Sequence, residues 1–209
     1  MLITSSPSVA EYPRRAPDSD AATTLGGDAM ALRLMSAGVK RLESREHLFC
    51  EGDPAAHVYR IESGHVCIYK MMPDGRRQVV DFGYPGDLVG LGAGAEHKTS
   101  AHALGVCRVR AVPSTALHQM ARQDANLALS LYDTLAHELE AARGLLLSCC
   151  QHSAIERLAS FLLMLSRRNA RKGKDAATLF LPMTRSDIGD YLGLTIETVS
   201  RTFTKMKAM

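Results

Sequence analysis

The chain has 209 residues, 46% of them hydrophobic and 22% charged, enough for an ordinary core and at most two domains, and unlike a fibre or a wholly disordered chain. Its formal charge of +3 hides a gradient: Ala154 to Met209 carries ten Lys and Arg against five Asp and Glu, net +5, and the rest carries 15 against 17, net −2. A basic final quarter on a mildly acidic body is the asymmetry of a chain whose end meets a polyanion.

No apolar run approaches the roughly 18 residues of a membrane span. The start, with Glu11, Asp18 and Asp20, lacks the apolar stretch of a signal peptide, so the expected location is the cytoplasm, with no membrane partner. Cys50, Cys67, Cys107, Cys149 and Cys150 are odd in number and have no CxxC spacing, which fits neither a disulfide framework nor a zinc site.

Residues 1–29, with Ser5, Ser6, Pro7, Pro13 and Pro17 and no apolar period, are expected to form a disordered arm. Ala31 to Ala37 has the residues for one short helix. From 30 to 124 the expectation is a β-roll. Turn signals at Glu51-Gly52-Asp53-Pro54, Glu62-Ser63-Gly64, Pro73-Asp74-Gly75-Arg76, Pro85-Gly86-Asp87 and Gly92-Ala93-Gly94 punctuate strand-like runs at 57–61, 65–70, 77–82 and 107–112. In the second run Val66 and Ile68 are expected inward, Cys67 and Tyr69 on the other face.

After Pro113 the period lengthens. Ala128, Tyr132, Leu135, Leu139, Ala142, Leu146 and Cys149 alternate steps of four and three, a heptad seam on one long helix over 125–152. Leu127, Leu131 and Leu145 form a second stripe that can pack on the roll. A helix with two apolar faces needs two partners. The roll supplies one, and a second copy of the same helix, in a two-fold dimer, is the expected other. Burial between two layers of its own chain is the alternative.

Residues 153–209 are expected to form a helix-turn-helix unit. A helix starts at Ala154 and runs to about Arg168, followed by a basic loop, Arg171-Lys172-Gly173-Lys174-Asp175, and an extended piece over 178–182. Thr184 with Asp187 three residues on is a helix start; Gly193 supplies the turn; Thr195 caps a second helix. Two short helices around a glycine turn within about twenty residues have helix-turn-helix spacing. On the second helix Ile196, Val199, Phe203 and Met206 are the expected inner stripe, and Glu197, Ser200 and Arg201 the outer row. Arg201 can donate twice to guanine O6 and N7, Glu197 can accept from cytosine N4 or orient the arginine, and Ser200 can approach a thymine methyl or a phosphate. Thr184, Arg185, Thr195, Thr198, Thr204 and Lys205, together with Lys207 and the loop at 171–174, are the expected contacts to the DNA backbone. The competing reading of Glu197 and Arg201 is a solvent-facing i,i+4 ion pair.

This order of elements resembles the Crp/Fnr superfamily of bacterial transcription regulators, from about residue 31 onward. The motifs that carry the likeness are Pro85-Gly86-Asp87-Leu88-Val89-Gly90, Glu156-Arg157-Leu158-Ala159-Ser160-Phe161-Leu162, and the stretch Asp187 to Arg201. The E-x-x-S-R pattern at 197–201 is that of the Fnr branch; the Crp branch would place an arginine where Ile196 stands. The resemblance implies an α+β chain: an antiparallel, jelly-roll-like cyclic-nucleotide-binding-like domain, a long dimerisation helix and a C-terminal winged helix-turn-helix. Because the sequence stops at Met209, the expectation is that the wing is missing or truncated, at a cost in affinity more than in sequence preference. The resemblance further implies a palindromic site with TTGAT-type half-sites and RNA polymerase as partner.

Cyclic-nucleotide-binding relatives have a glutamate and an arginine where this chain has Leu91 and Thr99, the latter before Ser100, which argues against cAMP, since a buried phosphate needs a cation. No cysteine precedes Cys50, which argues against the 4Fe-4S cluster of Fnr itself. The expectation is therefore a FixK-like member without cofactor or metal, active in microaerobic, nitrogen-fixation or denitrification circuits. The alternatives are a haem held by one of eight histidines, or a redox response through thiols, with Cys149 near the dimer axis or else a small buried hydrophobe. An enzyme is not indicated: there is no GxSxG, HExxH, P-loop or paired acidic site.

Overall fold

A computed structural model describes residues 38–92 and 94–208. The expected arm and the expected helix over 31–37 lie outside the described residues.

Eight strands build the roll: β1 (Val39–Leu42), β2 (His47–Phe49), β3 (His57–Ser63), β4 (Val66–Met71), β5 (Arg77–Gly83), β6 (Leu88–Val89), β7 (Ser100–Ala103) and β8 (Cys107–Pro113). They form two antiparallel four-stranded sheets, ordered β1-β8-β3-β6 and β2-β7-β4-β5. Leu42, Phe49, Ile61, Val66, Val89, Ala101, Cys107 and Val109 fill the space between them. All four expected strand runs are strands, and the short β1, β2, β6 and β7 complete the sheets at positions where no alternation is long enough to read.

Five helices follow. Helix α1 (Ser114–Gln123) buries Leu117 against Val58, Leu88 and Val112, with Leu131 alongside. Helix α2 (Ala125–Gln151) begins where the Asp124 carboxylate accepts from the Asn126 and Leu127 amides, and runs without interruption for 27 residues. Helix α3 (Ala154–Arg171) opens with a reciprocal cap between Ser153 and Glu156. Helices α4 (Arg185–Leu192) and α5 (Ile196–Lys207) make the terminal pair. The segment 178–182 forms no strand.

One expectation needs correction. Cys67, read as belonging to the outward face of its strand, has no solvent exposure. Cys67, Val79 and Phe82 share an apolar cluster with Leu158, Phe161, Ile188, Tyr191, Leu192 and Val199. The rings of Phe82, Phe161 and Tyr191 lie 5.4–6.2 Å apart. The outer face of the β4–β5 pair is thus covered by α3 and α4, so the strand is buried on both sides and period-two alternation fails there.

Candidate nucleic-acid interface

Each helix of the terminal pair starts on a threonine. At α4, the Thr184 hydroxyl accepts from the Asp187 amide at 3.1 Å while Asp187 Oδ2 accepts from Thr184 N at 2.9 Å, the two halves of a capping box. At α5, Thr195 Oγ1 accepts from Thr198 N. Between them Gly193 takes the left-handed backbone with φ 65° and ends α4. A second glycine is as necessary and carried no signal in the sequence: a Cβ on Gly189 would stand 2.6 Å from the Leu194 carbonyl oxygen. The turn therefore folds directly onto the α4 backbone, where Gly189 O accepts from Leu194 N at 2.9 Å.

Helix α5 buries Val199 and Thr202. Phe203 and Met206 pack partly under it. Ile196 departs from the expected inner stripe: it is 46% exposed, because position one of the helix lies at the edge of the cover that α4 provides. Thr202 takes a place in that stripe, its hydroxyl donating to Thr198 O at 2.7 Å, so a polar residue is buried without an orphaned donor.

Glu197, Ser200, Arg201, Thr204 and Lys205 are all exposed on α5, as are Thr184, Arg185 and Thr195; Thr198 is half-buried. Glu197 and Arg201 make no N···O contact within 4 Å among the described residues, although the charge of Arg201 acts on the Glu197 carboxyl. That carboxyl is held below its ordinary range, first by hydrogen bonds from its own amide and the Thr195 hydroxyl and then by the charge of Arg201. Arg185 lies across the ring of Phe203, 3.4 Å from its centre, which places a cation from α4 directly beside α5.

Three features behind this face have no sequence signature. Arg77 on β5 donates to Asp190 at 2.8 Å and to Asp187 at 2.5 Å, and Gln78 Nε2 donates to the Asp190 carbonyl at 2.6 Å, so α4 is docked on the roll by polar contacts as well as by the aromatic cluster. Burial works against the Asp187 carboxylate, but Thr184 and Arg77 together hold its pKa below the ordinary value. Arg157 on α3 donates to three carbonyls: Nε to His152, Nη1 to Leu192 and Nη2 to Cys149, at 2.8–3.1 Å. It ties the end of α2 to the end of α4. Lys172, expected at the DNA backbone, instead donates to Pro85 O at 2.6 Å, with Asp87 Oδ1 at 3.5 Å; Asp87 also pairs with Arg168. The Pro85-Gly86-Asp87 turn of the roll thus holds Lys172 and Arg168 through one carbonyl and one carboxylate.

On α2, Tyr132, Leu135, Leu139 and Leu146 are 48–68% exposed. Ala142 is exposed too, at the rim of a cavity between α2 and the roll. Cys149 departs from that row: it is half-buried, with Sγ 3.9 Å from the Leu192 carbonyl of its own chain. Leu127 is buried, and Leu131 and Leu145 pack inward, as the second stripe requires. Among the described residues, no helix is long and apolar enough to cross a membrane.

Two family models match the chain: a cyclic nucleotide-binding domain over residues 39–124 and a Crp-like helix-turn-helix domain over residues 156–209. The chain is 38% identical over 164 residues to the nitrogen fixation regulation protein FixK of Bradyrhizobium diazoefficiens, covering 78% of this chain and 69% of that one. It is 39% identical over 170 residues to the transcriptional activatory protein AadR of Rhodopseudomonas palustris, covering 80% and 70%. Among solved structures, FixK2 from Bradyrhizobium japonicum matches with a TM-score of 0.76 and 39% identity, over 82% of this chain and 85% of that one.

Proposed function

The chain belongs to the Crp/Fnr family of DNA-binding transcription regulators, and on that premise we propose that it acts in the cytoplasm as a homodimeric activator reading a TTGAT-type palindrome. The observation that carries this is the exposed row Glu197, Ser200 and Arg201 on α5, flanked by Arg185 and Lys205. Arg201 is free to make the bidentate contact to guanine, Glu197 is kept ionised to accept from cytosine or steady the arginine, and Ser200 leaves room for a thymine methyl. Thr184, Arg185, Thr195, Thr198, Thr204 and Lys205 hold the backbone on either side. A second copy of α2 covers Tyr132, Leu135, Leu139 and Leu146, which sets the two recognition helices one DNA turn apart. RNA polymerase is the partner at activated promoters; the kinship with FixK, a nitrogen fixation regulation protein, favours nitrogen-fixation genes as targets, and that with AadR, a transcriptional activatory protein, favours activation.

We further propose that DNA binding needs no cyclic nucleotide, iron–sulfur cluster or haem. The cavity between the roll and α2 supports the first of these. Asp81, Asp87, Glu96 and Glu138 line it, with Leu91 and Thr99 at the positions already noted, no arginine, and Lys98, whose Nζ stands 3.6 Å from Glu96 Oε2, as the lysine of the lining. A phosphate entering there would meet carboxylates instead of a guanidinium.

The test is binding of the purified protein to a duplex carrying a TTGAT-type palindrome, followed by fluorescence anisotropy across salt concentration. Arg201→Ala is expected to cost about 1–3 kcal/mol on that site and much less on a scrambled duplex. Equal loss on both duplexes would remove base reading by Arg201, and binding without salt dependence would remove the DNA reading altogether.

A further inference from the structure

A second cavity, of about 510 Å³, lies between the roll and the end of α3 with the segment that follows it. We propose that it binds a nucleoside monophosphate or an organic phosphate of that size. The roll contributes His65, Tyr84 and Pro85; the other wall contributes Arg168, Asn169, Lys172, Lys174 and, at the rim, Phe180.

Charge is the first argument. Three cations face one carboxylate among the lining residues, and that carboxylate, Asp175, already accepts from the Ala177 amide at 2.8 Å. Asp87, behind the cavity, engages Arg168 and Lys172; Lys174 forms no ion pair among the described residues. A net positive charge is thus left beside a recess, the arrangement that a phosphate neutralises. Burial, then the charges of Lys174 and Arg168, lower the His65 pKa, so its ring enters neutral and able to accept or donate one hydrogen bond.

Shape and polarity point the same way. Phe180 is 74% exposed, and its ring stands 5.9 Å from that of His65. A large ring left in water beside another at the lip of a cationic recess offers a stacking platform for a base. Below the lip, the Arg168 guanidinium lies 4.2 Å from the centre of the Tyr84 ring, so the wall of the recess is held by a cation stacked on an aromatic ring. The acid-lined cavity beside α2 has the opposite polarity, which separates this site from it.

Isothermal titration of the full chain with AMP, GMP, CMP, UMP, ribose 5-phosphate, inorganic phosphate and adenosine tests the site. At least one monophosphate is expected to bind saturably below about 1 mM, with inorganic phosphate and adenosine each weaker by about tenfold or more. Lys174→Glu, an exposed substitution, is expected to weaken the monophosphate by about tenfold or more, and Phe180→Ala to erase its advantage over ribose 5-phosphate, with circular dichroism unchanged in both. The proposal falls if no probe binds up to about 5 mM, or if both variants bind as the parent does. It falls too if Lys174→Glu weakens duplex DNA while the parent takes up no free phosphate, because the cations would then serve the DNA backbone.

Discussion

Helices α2 and α5 both leave a face open to solvent, and the two faces are of opposite kinds. On α2 the open residues are Tyr132, Leu135, Leu139 and Leu146, large and apolar; on α5 they are Glu197, Ser200, Arg201, Thr204 and Lys205, all polar or charged. Water already satisfies the second set and is excluded by nothing, so its exposure is the resting state of a surface that awaits a polar, charged ligand. Water does not satisfy the first set: each such side chain left exposed forgoes about 1.5–3 kcal/mol of burial. The difference is what the proposed dimer requires: the face of α2 awaits an apolar cover and that of α5 a polar one, so dimerisation is expected to precede DNA reading.

The largest effect should come from breaking the apolar face. Leu139→Asp combined with Leu146→Asp is expected to give monomers in analytical ultracentrifugation. Affinity for a palindrome should then fall by about 10²–10⁴-fold, since the second half-site is no longer engaged at high effective concentration. Because α5 is untouched, the residual binding should still discriminate a single half-site from a scrambled one. Dimers that persist would refute the assignment of this face.

A smaller effect is expected where the two regions are joined. Arg157 fills three carbonyls at the ends of α2 and α4, where helix carbonyls are otherwise unpaired and the dipole favours a cation. Arg157→Met keeps the stem and removes the fork, and should cost about 2–3 kcal/mol in urea unfolding. Arg157→Lys should recover only part of that, since an ammonium cannot span three acceptors in one plane. Full recovery by lysine would reduce the residue to a point charge.

How far these regions were legible depends on the range of the interaction. The outer row of α5, its Thr195 cap, the Gly193 turn and the exposed apolar stripe on α2 are set by neighbours within a few residues, and the periods and caps show them. Ile196 escapes the inner stripe because a stripe says nothing about where the covering helix ends; Cys149 is half-buried with Sγ turned to Leu192, as a small buried hydrophobe would be, a choice that heptad spacing leaves open. Lys172 was read as a DNA contact when its partners, Pro85 and Asp87, are 85–87 residues earlier. Gly189 looked like an ordinary helical residue, since only the returning Leu194 carbonyl makes its lack of a Cβ matter.

Asp187 holds both kinds of information and offers the finest test of them. As the third residue of α4 it was readable as half of a capping box; as the partner of Arg77, 110 residues away, it was not. Its carboxyl is held below the ordinary value of 3.8, so folding favours the ionised form. The stabilisation it brings is complete above the unfolded-state pKa and is lost as pH falls through the folded one. Asp187→Asn preserves an acceptor for the cap but removes the charge that faces Arg77, which keeps Asp190 at 2.7 Å. The expected cost at pH 7 is therefore modest, about 1–2 kcal/mol, and the difference from the parent should shrink below about pH 4 as the parent's own carboxylate protonates. A difference that stays constant down to pH 2 would show that the charge of Asp187 does not contribute to stability and would leave the docking of α4 on the roll to Phe82, Phe161 and Tyr191.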